Sequence, residues 1–345
     1  MQQDAILARP RPASRPGPLL SVRDLRAYYQ MHFFGVTREI RAVDEISLEI
    51  SRNEIYGLAG ESSSGKSSLI KTIARAIRPP LNVVGGSVTF DFGQGPQDIY
   101  GLDARSLRAI RWRNLSYIMQ GSMNVLNPVR RIRHAFIDFA FRHMGLPMPE
   151  FLRRVEAHLA RLKLDPHVLD SYPHELSGGM RQRVTIALAT VCRPEFIIAD
   201  EPTTALDVVV QKDVLAMIRD IQQEMGSSIL FVTHDMAVHA NLTDRLGIMY
   251  AGRLVEEAPT RELFRHPLHP YTRHLIASLP RIGDDKPKTG LAGTPPNLAN
   301  PPSGCRFHPR CPLAMEICRR ESPPLEMVAP GHRVACHAVM QGIVS

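Results

Sequence analysis

The sequence lacks any apolar run long enough to cross a membrane. Its longest apolar stretches, such as FIIA at residues 196–199, are the length of strands, whereas a spanning helix needs about 20 residues. The N-terminal segment also has no apolar stretch beside a basic one, so it does not have the form of a secretory signal. Its Pro, Arg and Ser content predicts a disordered arm over residues 1–19. Without export, we expect the protein in the cytosol.

Cysteine is nearly absent from the body of the chain, and this absence makes the C-terminal cysteines conspicuous. Cys192 stands alone, whereas Cys305, Cys311, Cys318 and Cys336 follow the pattern C-x5-C-x6-C-x17-C. Disulfides are improbable in the cytosol. The pattern lacks the paired C-x2-C knuckles usual in structural zinc sites, so Zn²⁺ is the weaker metal interpretation. Four thiolates from one short segment suit a [4Fe–4S] cluster, and a cluster of thiols without metal stays an alternative.

Long basic runs are absent as well, although the net charge is +8. A basic protein can bind nucleic acid or an anionic membrane surface. Here the basic residues are scattered and no run of five occurs, so we expect no nucleic-acid partner. The length of 345 residues and the hydrophobic content of 44% predict a globular protein with at least one substantial core.

A phosphate-binding loop is the sharpest motif that is present. The apolar run 55–59 predicts a buried strand, and it leads into GESSSGKS, an instance of G-x-x-x-x-G-K-[ST], followed by a helical apolar pattern. Glycines let the backbone wrap a phosphate, and the N–H groups of the loop and helix start attract the anion. Lys66 is expected to reach the β- and γ-phosphates and Ser67 to ligate Mg²⁺. The predicted nucleotide-binding residues are Gly60, Ser62, Ser63, Ser64, Gly65, Lys66, Ser67 and Ser68.

Two acids follow a second predicted strand, in EFIIADEP. Asp200 is placed to hold Mg²⁺ through its water shell, and Glu201 to orient or activate an attacking water. A third predicted strand, SILFV, leads to His234, whose imidazole is in position to touch a γ-phosphate. One such residue alone is more often a structural strand end. An acidic pair in a chain with a phosphate-binding loop favours nucleotide hydrolysis.

A Ser-Gly-Gly turn in LSGGMRQRV opens a predicted helix and is a second anion site. One nucleotide rarely needs two such sites from one chain, so this turn is expected to serve the ATP of a facing subunit. With this motif, the chain resembles the ATP-binding-cassette (ABC) ATPases over about residues 20–345. The resemblance implies an α/β P-loop NTPase fold, with a RecA-like core, an antiparallel β subdomain, a helical subdomain and a small Cys-rich C-terminal extension.

The resemblance also implies roles for individual residues. Tyr29 would stack on adenine, with Tyr28 as the fallback. Gln120 would link Mg²⁺ and the attacking water to a transmembrane partner. Glu201 would be the catalytic base and His234 the switch histidine. The remaining implied contacts are Ser177 and Gly179 to the γ-phosphate across a dimer interface, Asp207 beside the hydrolysis site, and Ser67, Gln120 and Asp200 to Mg²⁺.

Two positions depart from the family pattern. Ser63 stands where these loops usually have glycine, and a serine there would add modest strain if φ is positive. Gly121-Ser122 replaces an Asp-Pro pair often found beside the glutamine, which leaves the conformation of that segment open. We expect ATP binding and the role of Gln120 to persist.

The C-terminal part of the chain suggests the branch of the family. HPLHPYTRHLIASLP, at residues 266–280, resembles a segment typical of oligopeptide and dipeptide importers, as does the Pro-rich link to a cysteine tail associated there with iron–sulfur clusters. The predicted organisation is an arm at 1–19, an ATPase domain at 20–265 with a helical subdomain at about 121–190, and a C-terminal region at 266–345.

The resemblance implies an ATPase subunit of a di- or oligopeptide importer at the cytoplasmic face of the inner membrane. Its partners would be two permeases, a second related ATPase and an extracytoplasmic binding protein. Oligosaccharides or nickel chelates are alternative solutes within the branch. An exporter, a non-transport ATPase acting on DNA or ribosomes, and a redox sensor on an ATPase scaffold are the rival functions. A single phosphate-binding loop and the lack of heptads disfavour the translation and chromosome branches.

Overall fold

The computed structural model of the protein describes residues 17–33, 36–119, 121, 125–204, 206–279, 291 and 293–344. They belong to two compact units. The first unit comprises the chain through Leu19, Ile50–Glu54 and Phe90–Leu230, and the second comprises Leu20–Glu49, Ile55–Thr89 and Phe231–Ser345. No helix within the described ranges is both long enough and apolar enough for a membrane span.

The second unit begins with a sheet in which one long strand lies between two others. Buried side chains alternate along this strand at Leu20 and Val22 and, one residue out of step, at Leu25 and Ala27. The step coincides with Asp24, whose φ of 44° interrupts the extended backbone. Alternation of this kind indicates a sheet with one buried face. The strands are β1 (Leu20–Phe33), β2 (Val36–Ile50) and β4 (Leu81–Phe90), with β1 in the middle.

A parallel pair carries the phosphate-binding loop. The predicted strand 55–59 is confirmed as β3 (Ile55–Ala59), and all five of its residues are buried, as expected for a strand covered on both faces. It pairs in parallel with β9 (Arg245–Tyr250), which pairs antiparallel with β10 (Arg253–Pro259). β12 (His332–Val334) joins β10 to β11 (Glu326–Ala329). The helices of this unit are α1 (Lys66–Ile73), α8 (Met236–Leu242), α9 (Thr260–Arg265), α10 (Pro270–Ala277), a 3₁₀ turn (His308–Arg310), α11 (Glu316–Arg320) and α12 (His337–Met340).

The first unit combines a parallel strand pair with a run of helices. The predicted strand before the acids is confirmed as β7 (Phe196–Asp200), which pairs in parallel with β6 (Leu115–Ile118). The chain passes into the second unit within the predicted strand β8 (Ser228–Val232). The other elements are β5 (Gln97–Asp98), α2 (Ala104–Ile110), α3 (Ile132–Phe136), a π-helical turn (Ile137–Phe141), α4 (Arg142–Met144), α5 (Met148–Arg161), 3₁₀ turns (Pro166–Asp170 and Pro173–Glu175), α6 (Gly178–Thr190) and α7 (Val208–Met225).

The core of the second unit includes the C-terminal region. Tyr250 of β9 packs against Tyr271 of α10, with ring centroids 4.6 Å apart, and Phe307 contacts both rings at 5.2 and 5.5 Å. All three side chains are almost fully buried. Burial of one such ring stabilises the folded state by about 2 kcal/mol. The segment that carries the first two C-terminal cysteines therefore packs into this core through Phe307.

Candidate functional site

The phosphate-binding loop runs from the end of β3 to the first turn of α1, and two glycines make its path possible. Gly60 has a φ of 149°, and a Cβ atom on it would lie 2.2 Å from the Met249 carbonyl oxygen. Gly65 has a φ of 102°, and its Cβ atom would lie 2.0 Å from the Ala42 carbonyl oxygen. Since real Cβ contacts are never this short, only glycine fits at either position.

Lys66 begins α1 and points its ammonium group back into the loop. Its Nζ donates to the carbonyl oxygens of Gly60 at 2.7 Å and Glu61 at 2.8 Å, and lies 3.3 Å from Ser64 Oγ. The ammonium is therefore held beside the backbone that would surround a phosphate, at the positive end of the helix dipole. Among the predicted loop residues, Gly60, Ser64, Lys66 and Ser68 are buried, Gly65 is half-buried, and Ser62, Ser63 and Ser67 are exposed.

Ser63 adopts the left-handed conformation that glycine would tolerate better. Its φ is 64°, which is the condition under which the sequence predicted strain. For an L-residue, this conformation costs about 1–2 kcal/mol. The side chain is exposed, so this cost comes from the backbone angle of Ser63 itself and not from a clash with neighbouring residues.

The structure separates the two candidate adenine-stacking tyrosines. The Tyr29 hydroxyl lies 3.1 Å from Ser68 Oγ in the first turn of α1, which places this ring beside the phosphate-binding loop. The Tyr28 hydroxyl instead donates to the Asp44 carboxylate, and Arg41 covers its ring. Burial, together with Asp44, raises the pKa of Tyr28 to about 12. Tyr28 is thus engaged by protein groups, and Tyr29 stays the better candidate.

His234 follows β8 and is exposed, one residue before the Asp235 carboxylate that caps α8. Behind it, His239 is fully buried, and its Nε2 lies 3.2 Å from the Thr233 carbonyl oxygen. Burial lowers the pKa of His239 to about 4, so its ring is neutral at pH 7. If Gly57 of β3 carried a Cβ atom, that atom would lie only 2.6 Å from Nδ1 of His239, which explains the glycine within that strand. The histidine missed by sequence analysis therefore packs between β3 and the His234 turn.

The two acids of the first unit have different surroundings. Asp200 ends β7 and is buried, and its Oδ2 accepts a hydrogen bond from the Tyr117 hydroxyl at 3.1 Å. Burial, together with Asp200, raises the pKa of Tyr117, so the hydroxyl keeps its proton. Glu201 is half-buried and accepts from the Thr204 hydroxyl at 2.9 Å. Its φ of 46° is left-handed, a conformation that is uncommon and costly for a residue other than glycine.

The Ser-Gly-Gly turn and Asp207 cap two neighbouring helices of the first unit. Ser177 caps α6 by accepting from the Met180 amide at 3.2 Å, and Asp207 caps α7 by accepting from the Val210 amide at 2.9 Å. A Cβ atom on Gly179 would lie 2.9 Å from Val210 Cγ1, so the two helix starts are in contact. Both capping side chains are exposed. These three predicted residues are brought together on one surface.

Gln120 and Ser122 lie outside the described residues, so the structure does not test the predictions made for them. Within the second unit, Tyr29 and the loop residues are brought together by β3 and α1. Within the first unit, Ser177, Gly179 and Asp207 meet at two helix starts. Neither unit by itself contains all the residues predicted to contact ATP.

The four C-terminal cysteines belong to the second unit, where the Cys305 N–H donates to the Cys318 carbonyl oxygen at 2.9 Å. None of them forms a disulfide. Burial, with the other three thiols nearby, raises the pKa of Cys305 to about 12, and burial also raises the pKa of Cys311 and Cys336. Across the described part of the chain, no three His, Cys, Asp or Glu side chains form a group that could hold a metal ion. The predicted ligand set is therefore not assembled as the side chains stand.

Three contacts that sequence analysis did not assign converge on Glu61 of the loop. The Tyr271 hydroxyl accepts from its backbone N–H, Arg310 pairs with its carboxylate, and Lys66 donates to its carbonyl. Tyr271 and Arg310 are 210 and 249 positions from Glu61, so their spacing in the sequence gives no sign of this proximity.

Comparison with known proteins links this geometry to one family. The ABC transporter family model matches residues 43–204, and the oligopeptide/dipeptide transporter C-terminal region model matches residues 255–318. The chain is 39% identical to the dipeptide transport ATP-binding protein DppD of Caldanaerobacter subterraneus over 329 residues, covering 94% of this chain and 98% of that protein. It is 37% identical to the oligopeptide transport ATP-binding protein AppF of Bacillus subtilis over 332 residues, covering 94% and 98%.

A solved structure agrees with these sequence matches. The dimeric ATP-binding cassette MJ0796, in a post-hydrolysis state bound to ADP and Pi, aligns with a TM-score of 0.60 and 26% identity, covering 70% of this chain and 99% of that chain. The predicted α/β P-loop NTPase fold is confirmed by this similarity.

Proposed function

This chain belongs to the ABC transporter family of ATP-binding proteins, and from that premise we propose that it hydrolyses ATP to power the import of di- or oligopeptides. The match of residues 255–318 to the oligopeptide/dipeptide transporter C-terminal region carries this proposal. Relatives that are named for dipeptide and oligopeptide transport and span nearly the whole chain support it further. Oligosaccharide and nickel-chelate import stay the alternatives within the branch.

The loop residues of the second unit would bind the phosphates of ATP. Lys66 supplies a buried positive charge, and the glycines hold the backbone close enough for N–H groups to contact phosphate oxygens. Tyr29 would stack on the adenine. Mg²⁺, when bound with ATP, neutralises charge on the β- and γ-phosphates. Ser67 and Asp200, with Gln120, have the oxygen donors that this ion prefers and would hold it.

Glu201 would act on the attacking water. The water oxygen forms the new bond to the γ-phosphorus, its proton passes to the carboxylate, and the bond from phosphorus to the ADP oxygen breaks. The Thr204 hydroxyl fixes one carboxylate oxygen of Glu201 at 2.9 Å, which orients the base. His234, exposed after β8, would contact the γ-phosphate and report its loss.

A second ATPase subunit would complete each ATP site. Ser177, Gly179 and Asp207 form one surface at the starts of α6 and α7, and would face the ATP of that partner. Val208 and Val209 follow at once and are 80% and 73% exposed, so they extend this surface with two adjacent apolar side chains. We propose that the second cassette covers them and that it is a related chain rather than a copy.

The remaining partners follow from the family. We propose that two transmembrane permeases bind this chain at the cytoplasmic face of the inner membrane. An extracytoplasmic binding protein would deliver the peptide to the permeases from the opposite side of that membrane. No nucleic acid takes part. ATP-driven closing of the cassette pair would change the permease conformation, and hydrolysis would reset it.

The test is transport by the reconstituted complex in vesicles, measured as uptake of a labelled dipeptide. We expect uptake that requires ATP, the binding protein and both permeases. Glu201→Gln in this chain should slow ATP hydrolysis about 100-fold or more while ATP still binds. Uptake of a nickel chelate or an oligosaccharide in place of peptide would reassign the solute, and copurification with nucleic acid without permeases would contradict the transport function.

We also propose that Cys305, Cys311, Cys318 and Cys336 bind a [4Fe–4S] cluster, with Zn²⁺ as the alternative. The hydrogen bond that joins the backbones of Cys305 and Cys318 at 2.9 Å and the lack of any disulfide among the four thiols support this. Because the thiols do not converge as they stand, they would have to close around the metal and lose their protons. Protein purified without oxygen should be brown, with about four iron and four sulfide per chain. Colourless protein with one zinc per chain would support the alternative, and absence of both metals would contradict metal binding.

A further inference from the structure

Glu61 is the second residue of the phosphate-binding loop, and its N–H, its carbonyl and its carboxylate each form hydrogen bonds. Its N–H donates to the Tyr271 hydroxyl at 2.8 Å, and its carbonyl accepts from Lys66 Nζ at 2.8 Å. Its carboxylate receives both Nη atoms of Arg310, at 2.9 and 3.2 Å. Two of these three partners come from the C-terminal region rather than from the loop itself.

Arg310 and Glu61 form a bidentate ion pair, in which two guanidinium nitrogens bond to the two carboxylate oxygens. Two parallel bonds from a guanidinium to a carboxylate fix the geometry as well as the charge. The Arg310 side chain is only 7% exposed and that of Glu61 is 25% exposed, so solvent screens the pair weakly. Arg310 also donates to the Tyr250 hydroxyl at 3.3 Å and lies over the Tyr250 ring. The arginine is therefore anchored to β9 as well as to the loop.

Tyr271 is also held in place by its neighbours. Its ring is fully buried against Tyr250 and Phe307, in the first turn of α10. The residues just before it are held by the buried Glu256 carboxylate, which accepts from the backbone N–H groups of Leu268 and His269 at 2.8 and 3.0 Å. His332 Nε2 lies 2.8 Å from the same carboxylate. The hydroxyl that receives the Glu61 N–H thus has little freedom to move.

Arg306, which lies between Cys305 and Arg310, contacts the backbone that packs against the phosphate-binding loop. Arg306 donates to the Asp44 carboxylate and to the Ala251 carbonyl oxygen. Next to Ala251, the Gly252 N–H donates to the Ser64 carbonyl oxygen at 2.8 Å, and the Gly252 carbonyl accepts from the Asp44 N–H at 2.8 Å. The segment between Cys305 and Cys311 therefore contacts the loop at Glu61 and its supporting backbone at Ala251.

We propose that Arg310 and Tyr271 are positioning residues for ATP binding, and that through them the C-terminal region sets the affinity of the phosphate-binding loop. They hold the Glu61 peptide with its N–H turned toward Tyr271, which fixes the start of the loop and leaves the following residues to enclose the phosphates. When a binding-competent conformation is only partly populated, apparent affinity falls by that fraction. This inference rests on the proposal that the loop binds ATP.

The experiment measures binding of a fluorescent ATP analogue to the full-length chain in Arg310→Gln, Glu61→Gln and the double variant. Arg310→Gln should raise Kd about tenfold, since hydrogen bonds between charged groups are worth this much when broken. The double variant should lose less than the sum of the two single variants, because neither buried charge is left unpaired. In the assembled transporter, KM for ATP should rise while kcat changes less than about twofold. Arg320→Gln, in the exposed Arg320–Glu316 pair of the same region, is the matched control and should bind like wild type.

Tyr271→Phe tests the second contact without disturbing the ring packing. It should raise Kd about threefold, the effect of one neutral hydrogen bond. Arg310→Lys should restore part of the affinity lost in Arg310→Gln. If Arg310→Gln does not fold, as judged by its melting temperature, Glu61→Gln and Tyr271→Phe decide the question.

Lys66→Ala separates this inference from the proposed function. Loss of ATP binding in Lys66→Ala, with wild-type Kd in Glu61→Gln, Tyr271→Phe and Arg310→Lys, would overturn the positioning role alone. Unchanged ATP binding in Lys66→Ala would overturn the loop as the ATP site. Additive losses in the double variant would show that Arg310 and Glu61 act separately, which also contradicts the proposal.

Discussion

The phosphate-binding loop and the four-cysteine segment were both predicted from the sequence as ligand sites, and they differ in what holds them. The loop is eight consecutive residues whose glycines adopt backbone angles and close approaches that no other residue permits. The cysteines are spread over 32 positions, from Cys305 to Cys336, and their ligand geometry depends on how α11, β12 and the turns between them pack. A contiguous motif specifies its own conformation, whereas a dispersed one relies on the surrounding fold.

Replacing Gly65 should have the largest effect on this comparison. In Gly65→Ala, the new Cβ atom would meet the Ala42 carbonyl oxygen at 2.0 Å, in addition to the cost of a φ of 102°. We expect about 4 kcal/mol of lost stability and no measurable ATP binding. Urea unfolding and nucleotide titration measure the two effects.

Gly95→Ala is the matched control for that prediction. Gly95 has a φ of 88°, but a Cβ atom added to it would meet no atom of the described residues within 4 Å, so it carries the conformational cost without the clash. The loss should be about 1–2 kcal/mol, with ATP binding intact. Equal losses at the two glycines would show that close approach contributes nothing at the loop.

Acid should loosen the surroundings of both regions through two buried histidines. His239 packs behind the loop, and His269 packs beside Phe307 of the cysteine segment; burial lowers the pKa of each to about 4. The unfolded state takes up protons below its pKa of about 6.5 while the folded state does not. Stability is therefore full above pH 6.5 and falls toward pH 4, by about 1.4 kcal/mol per pH unit for each histidine.

Urea midpoints at pH 7 and pH 5 measure this loss. His239→Gln and His269→Gln remove one titrating group each, so each variant should show a shallower fall with acid than wild type, whatever its stability at pH 7. His167→Gln, at an exposed position in the first unit, should leave the slope unchanged. A slope that neither buried-site variant changes would contradict neutral buried histidines.

The reactivity of Cys305 should show how strongly the metal-free cysteine segment shields its thiol. Burial raises the pKa of this thiol to about 12, so in metal-free native protein at pH 8 almost none of it is thiolate. Alkylation should be at least about 100-fold slower than in urea-unfolded protein, and should accelerate about tenfold per pH unit beyond the pH where ordinary thiols level off. Mass spectrometry of labelled peptides measures both rates. Native and unfolded rates within threefold would contradict a buried thiol.

The sequence predicts much of the fold because the strands β3, β7 and β8 are short apolar runs directly followed by motifs. The loop's glycines and the helix caps at Ser177 and Asp207 are also local features. The contact of Arg310 and Tyr271 with Glu61 was not predictable, because it joins residues more than 200 positions apart. His239 was missed for a similar reason: its burial depends on β3 and on Gly57, and nothing near it in the sequence indicates this.

The smallest expected effect concerns Ser63, the one residue at which the loop departs from the family's glycine. Ser63→Gly should raise stability by about 1 kcal/mol, because glycine adopts a φ of 64° without the cost that serine bears. ATP affinity should change less than twofold, since the backbone path and the Lys66 contacts stay the same. Ser62→Gly, at the neighbouring exposed serine whose φ is not positive, should instead be neutral or slightly destabilising, because glycine only adds freedom to the unfolded chain. A stabilisation of equal size at both serines would mean that the left-handed angle carries no strain, and that the loop's conformation is held by its two glycines and the Glu61 contacts alone.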